Sequence, residues 1–450
     1  MRRIYLLMCL LLPIYLMAYE TDKTRMIVMT DLGGTDPDDV QSLMHLLLCA
    51  DRIDIEGLIS TQAWIDDADH TDCIRKVVEN YRKVYPCLRC HSDGFPTPEK
   101  LDSIITRGQE KAHISGIGMG KDSDGSDWII KVVCDNNDNR PVWIAAWGGM
   151  NTLAQALLKA SVIYDKERFD AFRSKIRIYD ILGQDDAGAW IAHNYPDITY
   201  IRNKEVYGWA PDDKWIDDNV QGISPFGTSY PDRIWATEGD SPAFMYMYSN
   251  GLNVPEHPDW GGWGGRFSLI CQKNVRGMDF VEKSGKDESA FGDYYMYVSA
   301  PEGVNAINRW KNHIYNDFAA RIKWTTTTDY SAANHHPVAV VNGNNDNSPV
   351  FIKANGGEQI TLDASESIDS DKDSLSFLWQ IYTEAGTFCG DVEITGTDSP
   401  ICSITLPETI KEDDTLHLIL AVTDNGTPSL TAYKRIVISP TALRHLKTEI

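Results

Sequence analysis

Short apolar runs alternate with amphipathic segments along residues 25–201, and this alternation constrains the fold more than any other feature of the sequence. Five runs have the length and composition of buried strands, namely residues 26–30, 53–61, 141–146, 176–182 and 198–201. The segments between them carry apolar residues at three- and four-residue spacing, which is typical of helices. They cover residues 40–49, 71–84, 127–134 and 151–160. Alternation of this kind produces right-handed βαβ units, so we predict an α/β domain with an open, mostly parallel, Rossmann-like sheet.

The sequence changes character twice after residue 201. Between residues 210 and 267, Gly, Pro, Trp and Asp follow one another irregularly, as in long loops over a binding site. Apolar periodicity returns over 305–322 and predicts a last helix, and residues 331–336 have the composition of a linker. From 337 to 450, short alternating runs predict an antiparallel, immunoglobulin-like β-sandwich. We therefore predict an α/β domain over residues 19–330, followed by a second, all-β domain.

An acidic turn follows the first predicted strand. Asp31, Asp36, Asp38 and Asp39 lie within nine residues, where the chain passes from strand to helix. Ligands of open parallel sheets bind just beyond the carboxyl ends of strands, and a group of carboxylates there is the kind of oxygen-rich site that Ca²⁺ prefers. Helix capping is the alternative. Asp36 suits an N-cap, Pro37 suits the first helical position, and acids in the first turn favour the helix dipole.

Polar residues recur at three later positions where a predicted strand or loop leads into a helix. They are Asn151 after a glycine turn, the run Gln184, Asp185 and Asp186, and the pair Glu238 and Asp240. Each has a local alternative as a cap or a turn residue. Their recurrence at successive strand ends favours one shared crevice, because that is where the ligands of such sheets collect.

These motifs resemble a known superfamily. The acidic turn is similar to the DxDPGxDD signature of the inosine–uridine-preferring nucleoside hydrolases, and residues 149–154 are similar to the GPLTNLA turn of that family. The match is closer to the exported bacterial family of cellulose-binding, nucleoside-hydrolase-like proteins, whose members also carry a C-terminal sandwich. The segments that carry this closer resemblance are residues 30–39, 118–127, 184–188, 238–244 and 255–267.

The resemblance implies a set of metal ligands. Asp31 would be a Ca²⁺ ligand and also the base that activates the attacking water. Asp39 and Asp240 would complete the carboxylate ligands, and the carbonyl of Asn151 would stand where nucleoside hydrolases use a threonine carbonyl. Ca²⁺ is therefore the cofactor that we expect.

The resemblance also implies where a sugar would bind. Asp38 would hold a sugar hydroxyl and orient Asp39, and residues 184–186 lie near the segment that grips the sugar in nucleoside hydrolases. Trp64 follows the second predicted strand, in a loop that we expect near the pocket. The residues expected to contact substrate are Asp38, Gln184, Asp185, Asp186, Glu238, Trp64 and His257.

One position departs from the nucleoside hydrolases. Gly239 precedes Asp240, where some of those enzymes have a His that protonates the leaving base. His257 or Glu238 would then act as the acid, or the leaving group would need little help. His257 has an alternative as a surface or packing residue.

Two further groups of residues have two interpretations each. Trp260 and Trp263 lie among glycines and would either stack on sugar rings or pack in the core. Asp369, Asp371 and Asp373 form an acidic turn in the predicted sandwich. This turn would either bind a second cation or be a solvated acidic turn, which is common in loops.

Residues 1–18 are typical of a signal peptide, because two arginines precede an apolar run that is too short to span a membrane. We therefore predict a periplasmic or secreted protein, in which Cys87 with Cys90 and Cys389 with Cys402 are the candidate disulfides. The formal net charge is −23. That charge argues against binding to nucleic acid or to anionic membranes, which needs clustered Lys and Arg.

The leading hypothesis is an exported, Ca²⁺-dependent hydrolase of the nucleoside-hydrolase superfamily that cleaves an N- or O-glycosyl bond. Its partner would be a small-molecule glycoside or a polysaccharide, with neither nucleic-acid binding nor membrane insertion. The alternative is a non-catalytic binder of cellulose-type polysaccharide on the same fold. A third hypothesis is a structural surface protein whose sandwich mediates protein contacts. The sequence leaves open whether the chain forms a homo-oligomer.

Overall fold

The fold is taken from a computed structural model of the chain. It describes residues 23–34, 36–62, 69–135, 137–223, 225–273 and 291–440. The predicted signal peptide and Trp64 lie outside these ranges.

The N-terminal part of the chain is built on one eight-stranded sheet. Its strands are β1 Thr24–Thr30, β2 Ile53–Ser60, β3 Ile105–Arg107, β4 Val142–Ala146, β5 Ile176–Ile181, β6 Thr199–Asn203, β7 Phe267–Gln272 and β8 Tyr294–Ser299. They lie in the order β3-β2-β1-β4-β5-β6-β8-β7. All neighbours are parallel except β7 and β8, which pair antiparallel. The predicted open, mostly parallel sheet is confirmed.

Helices cover both faces of this sheet. They are α1 Asp38–Leu48, α2 Thr71–His91, α3 Pro98–Ser103, α4 Asp124–Val133, α5 Asn151–Ile163, α6 Lys166–Ser174, α7 Ala187–Asn194, α8 Asp213–Ile216, α9 Ser241–Met247, α10 Asn305–Asn308 and α11 Lys311–Trp324.

The central strand β1 shows why the sheet is covered on both sides. Met26 and Val28 belong to the hydrophobic core that also includes residues of α1, α2, α9 and α11. Ile27 and Met29 belong to the opposite core, with residues of α4, α5 and α7. Successive side chains of a strand point to opposite faces, so an uninterrupted apolar strand needs apolar partners on both.

The helices and strands of the α/β part differ in three ways from the prediction made from the sequence. The predicted helix 71–84 continues through Pro86 to His91, because Leu88 and His91 are buried by tertiary packing. The predicted helix 305–322 is divided into α10 and α11. β3, β7 and β8 were not predicted, since β3 has three residues and β7 and β8 are only partly buried.

The C-terminal part is a sandwich of two small sheets. Its strands are β9 Val350–Ala354, β10 Gln359–Asp363, β11 Ser376–Ile381, β12 Glu393–Thr395, β13 Ile401–Thr405, β14 Leu416–Thr423 and β15 Thr431–Pro440. One sheet has the order β10-β13-β12 and the other β11-β14-β15-β9. Pairing is antiparallel apart from β9 with β15, which is parallel. The predicted sandwich is confirmed.

The sandwich is joined to the α/β part through buried polar groups on β15. The Arg435 guanidinium is buried and donates from Nε to the Leu252 carbonyl (2.9 Å) and from Nη2 to the Gly261 carbonyl (2.8 Å). The Tyr433 N–H donates to the Asn250 carbonyl (3.1 Å). Because these partners are backbone groups, the contact fixes the loop at residues 250–261 against the sandwich.

The segment predicted as a linker, residues 331–336, is tied into this contact. Asn334 and His335 are buried. Asn334 Nδ2 donates to Asp424 Oδ1 (3.0 Å), and the His335 N–H donates to Asp371 Oδ2 (2.7 Å). The domain boundaries on either side of the segment stay predictions.

The eight cysteines in the described part of the chain are unpaired. The two predicted disulfides are therefore wrong for this structure. Cys90 donates to the Pro86 carbonyl instead, and Cys402 is buried in the sandwich core while Cys389 is exposed. Among the described helices, none combines the length and apolarity that a membrane crossing requires.

Candidate active site

A cavity of about 580 Å³ opens at the carboxyl ends of the central strands. Its walls come from segments that follow β1, β4, β5 and β6 and from the loop before α9. The lining residues are Asp31, Gly34, Asp36, Asp38, Asp39, Trp147, Ile181, Leu182, Gln184, Val206, Tyr207, Trp235, Gly239 and Asp240. This is the edge of a parallel sheet at which ligands are expected, and the volume is typical of small-molecule sites.

Three carboxylates meet in this cavity. Asp38, Asp39 and Asp240 each offer one oxygen, and the three oxygens lie within 4.8 Å of one another. Asp38 and Asp39 form the first turn of α1, and Asp240 immediately precedes α9. Asp31 follows β1 and lines the same cavity. The fold therefore brings together carboxylates that are about two hundred residues apart in the sequence.

The capping alternative for the acidic turn fits α1 only in part, because Asp38 and Asp39 lie in its first turn but Pro37, and not Asp36, occupies the N-cap position. The helix begins at Asp38, and its N-cap residue, Pro37, makes no side-chain capping hydrogen bond. The Thr30 hydroxyl donates to Asp39 Oδ1, and the Asp39 N–H donates to Asp38 Oδ1 (3.1 Å). The first bond orients the Asp39 carboxylate, and the second orients Asp38 while satisfying one N–H group at the start of the helix.

The electrostatics of the cluster are unfavourable for carboxylates alone. Burial, together with the charges of Asp36 and Asp31, raises the pKa of Asp38 to about 7. Burial, followed by repulsion from neighbouring aspartates, holds the pKa of Asp39 and of Asp240 well above the ordinary value. No Lys or Arg is found among the described lining residues. A cluster of this kind needs protons or a cation to neutralise it.

The donor set fits a hard divalent cation. The Oδ2 atom of Asp240 is buried and has no hydrogen-bond partner among the described residues. Buried carboxylate oxygens without donors are uncommon in proteins, and carboxylate oxygens are the ligands that Ca²⁺ prefers. Asp38, Asp39 and Asp240 would hold such an ion, with Asp31 beside them. Asp38 thus lies among the carboxylates that would hold the ion, a place that the sequence analysis did not give it.

Asn151, Asp185 and Asp186 do not line the cavity. Asp185 Oδ2 accepts the Asn151 N–H (3.2 Å), and Asp185 Oδ1 accepts the Ala187 N–H (3.1 Å). Burial raises the pKa of Asp185 to about 7, with a further contribution from Asp186. Asp186 Oδ1 accepts the Ile114 N–H (2.7 Å). Both acids brace turns beside the cavity, and the ligand role of the Asn151 carbonyl stays a prediction.

Gln184 lines the cavity, as predicted for a substrate contact. Its side-chain amide donates to the Trp147 carbonyl, which links the turns after β4 and β5. This leaves its orientation fixed by the protein.

Glu238 is fully buried and does not line the cavity. Its carboxylate bonds His45 Nδ1 (2.7 Å) and accepts from the Tyr230 hydroxyl (2.9 Å). Its N–H donates to Gln41 Oε1 (2.9 Å), and its φ is +50°. These contacts hold the turn that presents Asp240, so this geometry favours a positioning role over substrate contact.

His257 also lies outside the cavity lining. Its ring stacks on Trp260 with a centroid distance of 3.8 Å. Trp260 in turn packs edge-on against His417 of the sandwich, and both Trp260 and Trp263 are buried. The core-packing interpretation therefore describes these tryptophans, and His257 belongs to the contact between domains.

Three aromatic residues of the cavity were not singled out from the sequence. Trp147 is buried beneath it, while Tyr207 and Trp235 are 47% and 69% exposed at its mouth. Trp235 lies in the irregular segment 210–267 that predicts loops over a site. Nothing in that composition distinguishes it from the other tryptophans of the segment.

The absence of a histidine before Asp240 has a steric reason. A Cβ atom built on Gly239 would overlap Asp38 Oδ2. Any larger residue there would displace a carboxylate of the cluster. The absence of a side chain at Gly239 therefore leaves the space that the Asp38 carboxylate occupies.

Comparison with known proteins agrees with this geometry. Residues 25–267 match the family described as cellulose-binding Sde182, nucleoside hydrolase-like domain, and residues 359–440 match the C-terminal domain of cellulose-binding protein Sde0182. A solved structure from Saccharophagus degradans is 42% identical, covers 93% of this chain and 100% of its own, and has a TM-score of 0.87. It is described as a nucleoside hydrolase-related hypothetical protein that is associated with carbohydrate metabolism.

Other comparisons are much weaker. The PKD domain of the KIAA 1837 protein is 19% identical over 21% of this chain and 82% of its own, and its TM-score of 0.16 carries no argument. The same holds for the endo-fucoidan hydrolase MfFcnA4, at 14% identity over 40% of this chain and 22% of its own with a TM-score of 0.16. Among curated proteins, none matches the chain.

Proposed function

The chain belongs to the cellulose-binding, nucleoside-hydrolase-like family, and from this premise we propose that it is an exported, Ca²⁺-dependent glycosyl hydrolase. It would cleave an N- or O-glycosyl bond of a small sugar-containing substrate. The observation that carries this proposal is the group of three carboxylates within 4.8 Å, beside Asp31, in a cavity of substrate size. Residues 1–18, which are typical of a signal peptide, support export.

The residues that would hold the ion are Asp38, Asp39 and Asp240. A bound Ca²⁺ would neutralise their charge and orient a water and the sugar hydroxyls. Binding of polysaccharide alone does not require three carboxylates to converge, so their convergence favours catalysis.

Asp31 is the residue to which we assign the base. In hydrolysis the bond between the anomeric carbon and the leaving atom breaks, and a water oxygen forms a new bond to that carbon. Asp31 would take the proton that this water loses. The positive charge that develops on the sugar ring would be stabilised by the carboxylates around it.

The leaving atom needs a proton, and we assign its donor to Asp36. Neither residue expected from the sequence, Glu238 or His257, lines the cavity. Asp36 does line it, and burial raises the pKa of its carboxyl. A raised pKa keeps a carboxylic acid protonated closer to neutral pH, which suits a general acid.

Tyr207 and Trp235 would form the entrance for substrate. Both are exposed at the mouth of the cavity. Aromatic faces pack well against the C–H surfaces of sugar rings. They would contact the part of the substrate that extends out of the cavity.

Turnover assays test the proposal directly. The full chain is incubated with p-nitrophenyl glycosides and nucleosides, with Ca²⁺ or with a chelator. We expect Ca²⁺-dependent turnover on at least one substrate, reduced about 100-fold or more in Asp31→Asn. The matched control is Asp127→Asn, an exposed aspartate that pairs with Lys159 and should leave the rate unchanged. Equal turnover in wild type and Asp31→Asn would contradict the role of Asp31.

A non-catalytic polysaccharide binder is the second candidate. The glycine at position 239, where some nucleoside hydrolases have their acid, favours it, as does the family's cellulose-binding description. No turnover on the panel, together with retention on insoluble cellulose that Trp235→Ala weakens, would support the binder.

A further inference from the structure

We infer that a divalent cation binds between Asp369 and Asp424, where the sandwich meets the segment 331–336. We call this pair the junction site. It is separate from the cavity, shares no residue with it, and does not depend on hydrolysis. Three observations support it, two on the carboxylates themselves and one on what they connect.

The first observation concerns Asp369, which opens the acidic turn before β11. Its Oδ1 accepts the N–H groups of Asp371 (2.8 Å) and Asp373 (3.0 Å). Its Oδ2 is buried and accepts no hydrogen bond from any described residue. All the donors of this turn are therefore on one oxygen, and the other is left for a different partner.

The second observation is the same arrangement at Asp424, which follows β14 and is only 4% exposed. Its Oδ1 accepts the N–H groups of Gly426 (2.9 Å) and Leu430 (2.9 Å) and the Asn334 amide (3.0 Å). Its Oδ2 is buried and has no donor within the described part of the chain. An unsatisfied buried carboxylate oxygen is costly and calls for an explanation.

The two carboxylates act on each other. Burial raises the pKa of Asp424, and the charge of Asp369 adds to the increase. The two turns are also tied directly, because the Ser374 N–H donates to Asn425 Oδ1 (2.8 Å). The nearby His335 ring bonds Asp371 (3.0 Å) and not this pair. A cation between the two oxygens would satisfy both and remove their repulsion.

The third observation is what the junction site connects. Asn334 reaches Asp424 and also donates to the Pro428 carbonyl (2.8 Å). A cation on Asp424 would thus stabilise the turn that holds the segment between the two domains. With two carboxylates as its charged ligands, the site should resemble the Ca²⁺ sites of extracellular modules, whose Kd is about 10⁻⁴–10⁻³ M.

Counting bound Ca²⁺ tests the junction site. Equilibrium dialysis with the full chain compares the wild type with the double variant Asp369→Asn/Asp424→Asn. We expect the variant to bind one Ca²⁺ fewer than the wild type. The exposed aspartate Asp391, on the same sandwich, provides the control variant Asp391→Asn, which should bind as many as the wild type. Equal Ca²⁺ counts in the wild type and the double variant would overturn the junction site.

If the double variant does not fold, the single variant Asp369→Asn still tests the junction site. Asp369→Asn removes one of the two charges and keeps an oxygen for the N–H groups of Asp371 and Asp373, so the fold should persist in chelator. The Ca²⁺ concentration at which the melting temperature rises half-way should then increase at least tenfold. An unchanged Ca²⁺ dependence of melting would overturn the cation.

The cavity is tested apart from the junction site by Asp39→Asn/Asp240→Asn. If that variant bound one Ca²⁺ fewer than the wild type, the result would support the cation of the proposed function and would say nothing about the junction site. The difference between wild type and Asp369→Asn/Asp424→Asn concerns the junction site alone, whatever the cavity binds.

Discussion

Asp38, Asp39 and Asp240 place three oxygens within 4.8 Å of one another, and Asp39 and Asp240 are buried while Asp38 is half-buried. Carboxylates at such short separations raise one another's pKa. They destabilise the cavity unless protons or a cation neutralise them. The surrounding residues have little freedom to relieve this, because Thr30 holds Asp39 and Gly239 leaves no room beyond Asp38. At the scale of single residues, the repulsion between these carboxylates is therefore the main feature of the site.

Asp36→Asn tests the assigned acid. An amide cannot donate a proton, so we expect turnover of substrates with poor leaving groups to fall about 100-fold or more. Turnover of p-nitrophenyl glycosides, whose leaving group needs little protonation, should change much less. Parallel kcat measurements on the two substrate classes check this. Equal losses on both would indicate that Asp36 acts on binding and not as the acid.

Gly239→Ala tests the packing of the cluster. The added methyl group would overlap Asp38 Oδ2 and displace that carboxylate, so the Kd for Ca²⁺ should rise about tenfold, which corresponds to about 1.4 kcal/mol. Calorimetric titration with Ca²⁺ measures it. The melting temperature in chelator should stay close to that of the wild type, because the clash is with a cavity side chain. If Gly239→Ala bound Ca²⁺ with the affinity of the wild type, Gly239 would have no part in the cation site.

Sequence patterns predicted part of this site. Asp31, Asp39 and Asp240 stood out because each follows a strand or precedes a helix within a recognisable motif. Asp38 was expected to hold a sugar hydroxyl, because its neighbour Asp39 satisfies the same motif. The close approach of its oxygen to those of Asp39 and Asp240 depends on tertiary structure. Tyr207 and Trp235 are typical of aromatic residues in any loop, so their place at the mouth depends on tertiary structure.

At the scale of elements, the turn between β4 and α5 shows how backbone packing supports the cavity. A Cβ on Gly149 would overlap the Gln62 carbonyl and lie 2.8 Å from Asp185 Oδ2. Asp185 in turn accepts the Asn151 N–H at the start of α5. The turn, the loop after β2 and the acid that follows β5 are therefore held as one unit.

Gly149→Ala should disturb this unit. Since a backbone carbonyl must move, we expect a loss of unfolding free energy of roughly 2 kcal/mol, in the range of overpacked sites. Urea denaturation followed by circular dichroism measures it. Gly239→Ala, whose clash is with a side chain, is the comparison. A loss no larger than that of Gly239→Ala would contradict the rigidity of the turn.

The predicted strands of the first sheet agree with the observed ones to within two residues at each end. This holds because β1, β2, β4, β5 and β6 are mostly buried and therefore read as continuous apolar runs. The edge strand β7 and its neighbour β8 could not be predicted, since their exposed positions interrupt the apolar pattern. Likewise, only tertiary burial carries α2 through Pro86.

At the scale of the whole molecule, a buried contact joins the sandwich to the α/β domain. His417 lies at this contact, fully buried, and its Nδ1 accepts from Arg435 Nη1 (3.1 Å). Burial lowers the pKa of His417 to about 3, and the charges of Arg435 and His257 contribute. The ring is thus neutral in the folded protein at any moderate pH.

This makes the protein sensitive to acid. The unfolded chain takes up a proton at His417 below its ordinary pKa of about 6.5, whereas the folded chain does so only near 3. The stabilisation is complete above pH 6.5 and is lost as the pH falls toward 3, at about 1.4 kcal/mol per unit. His417→Asn keeps an acceptor for Arg435 but cannot ionise, so its unfolding free energy should fall less steeply over that window. Denaturation curves at several pH values check this, and identical slopes would contradict it.

The cation in the cavity is the claim on which the proposed chemistry depends most. A crystal structure of the full chain grown with Ca²⁺, with anomalous data to identify the ion, tests it most directly. We predict one Ca²⁺ in the cavity, 2.3–2.6 Å from oxygens of Asp38, Asp39 and Asp240, as is usual for this ion. A cavity without the ion at saturating Ca²⁺, its carboxylates still converging, would contradict it.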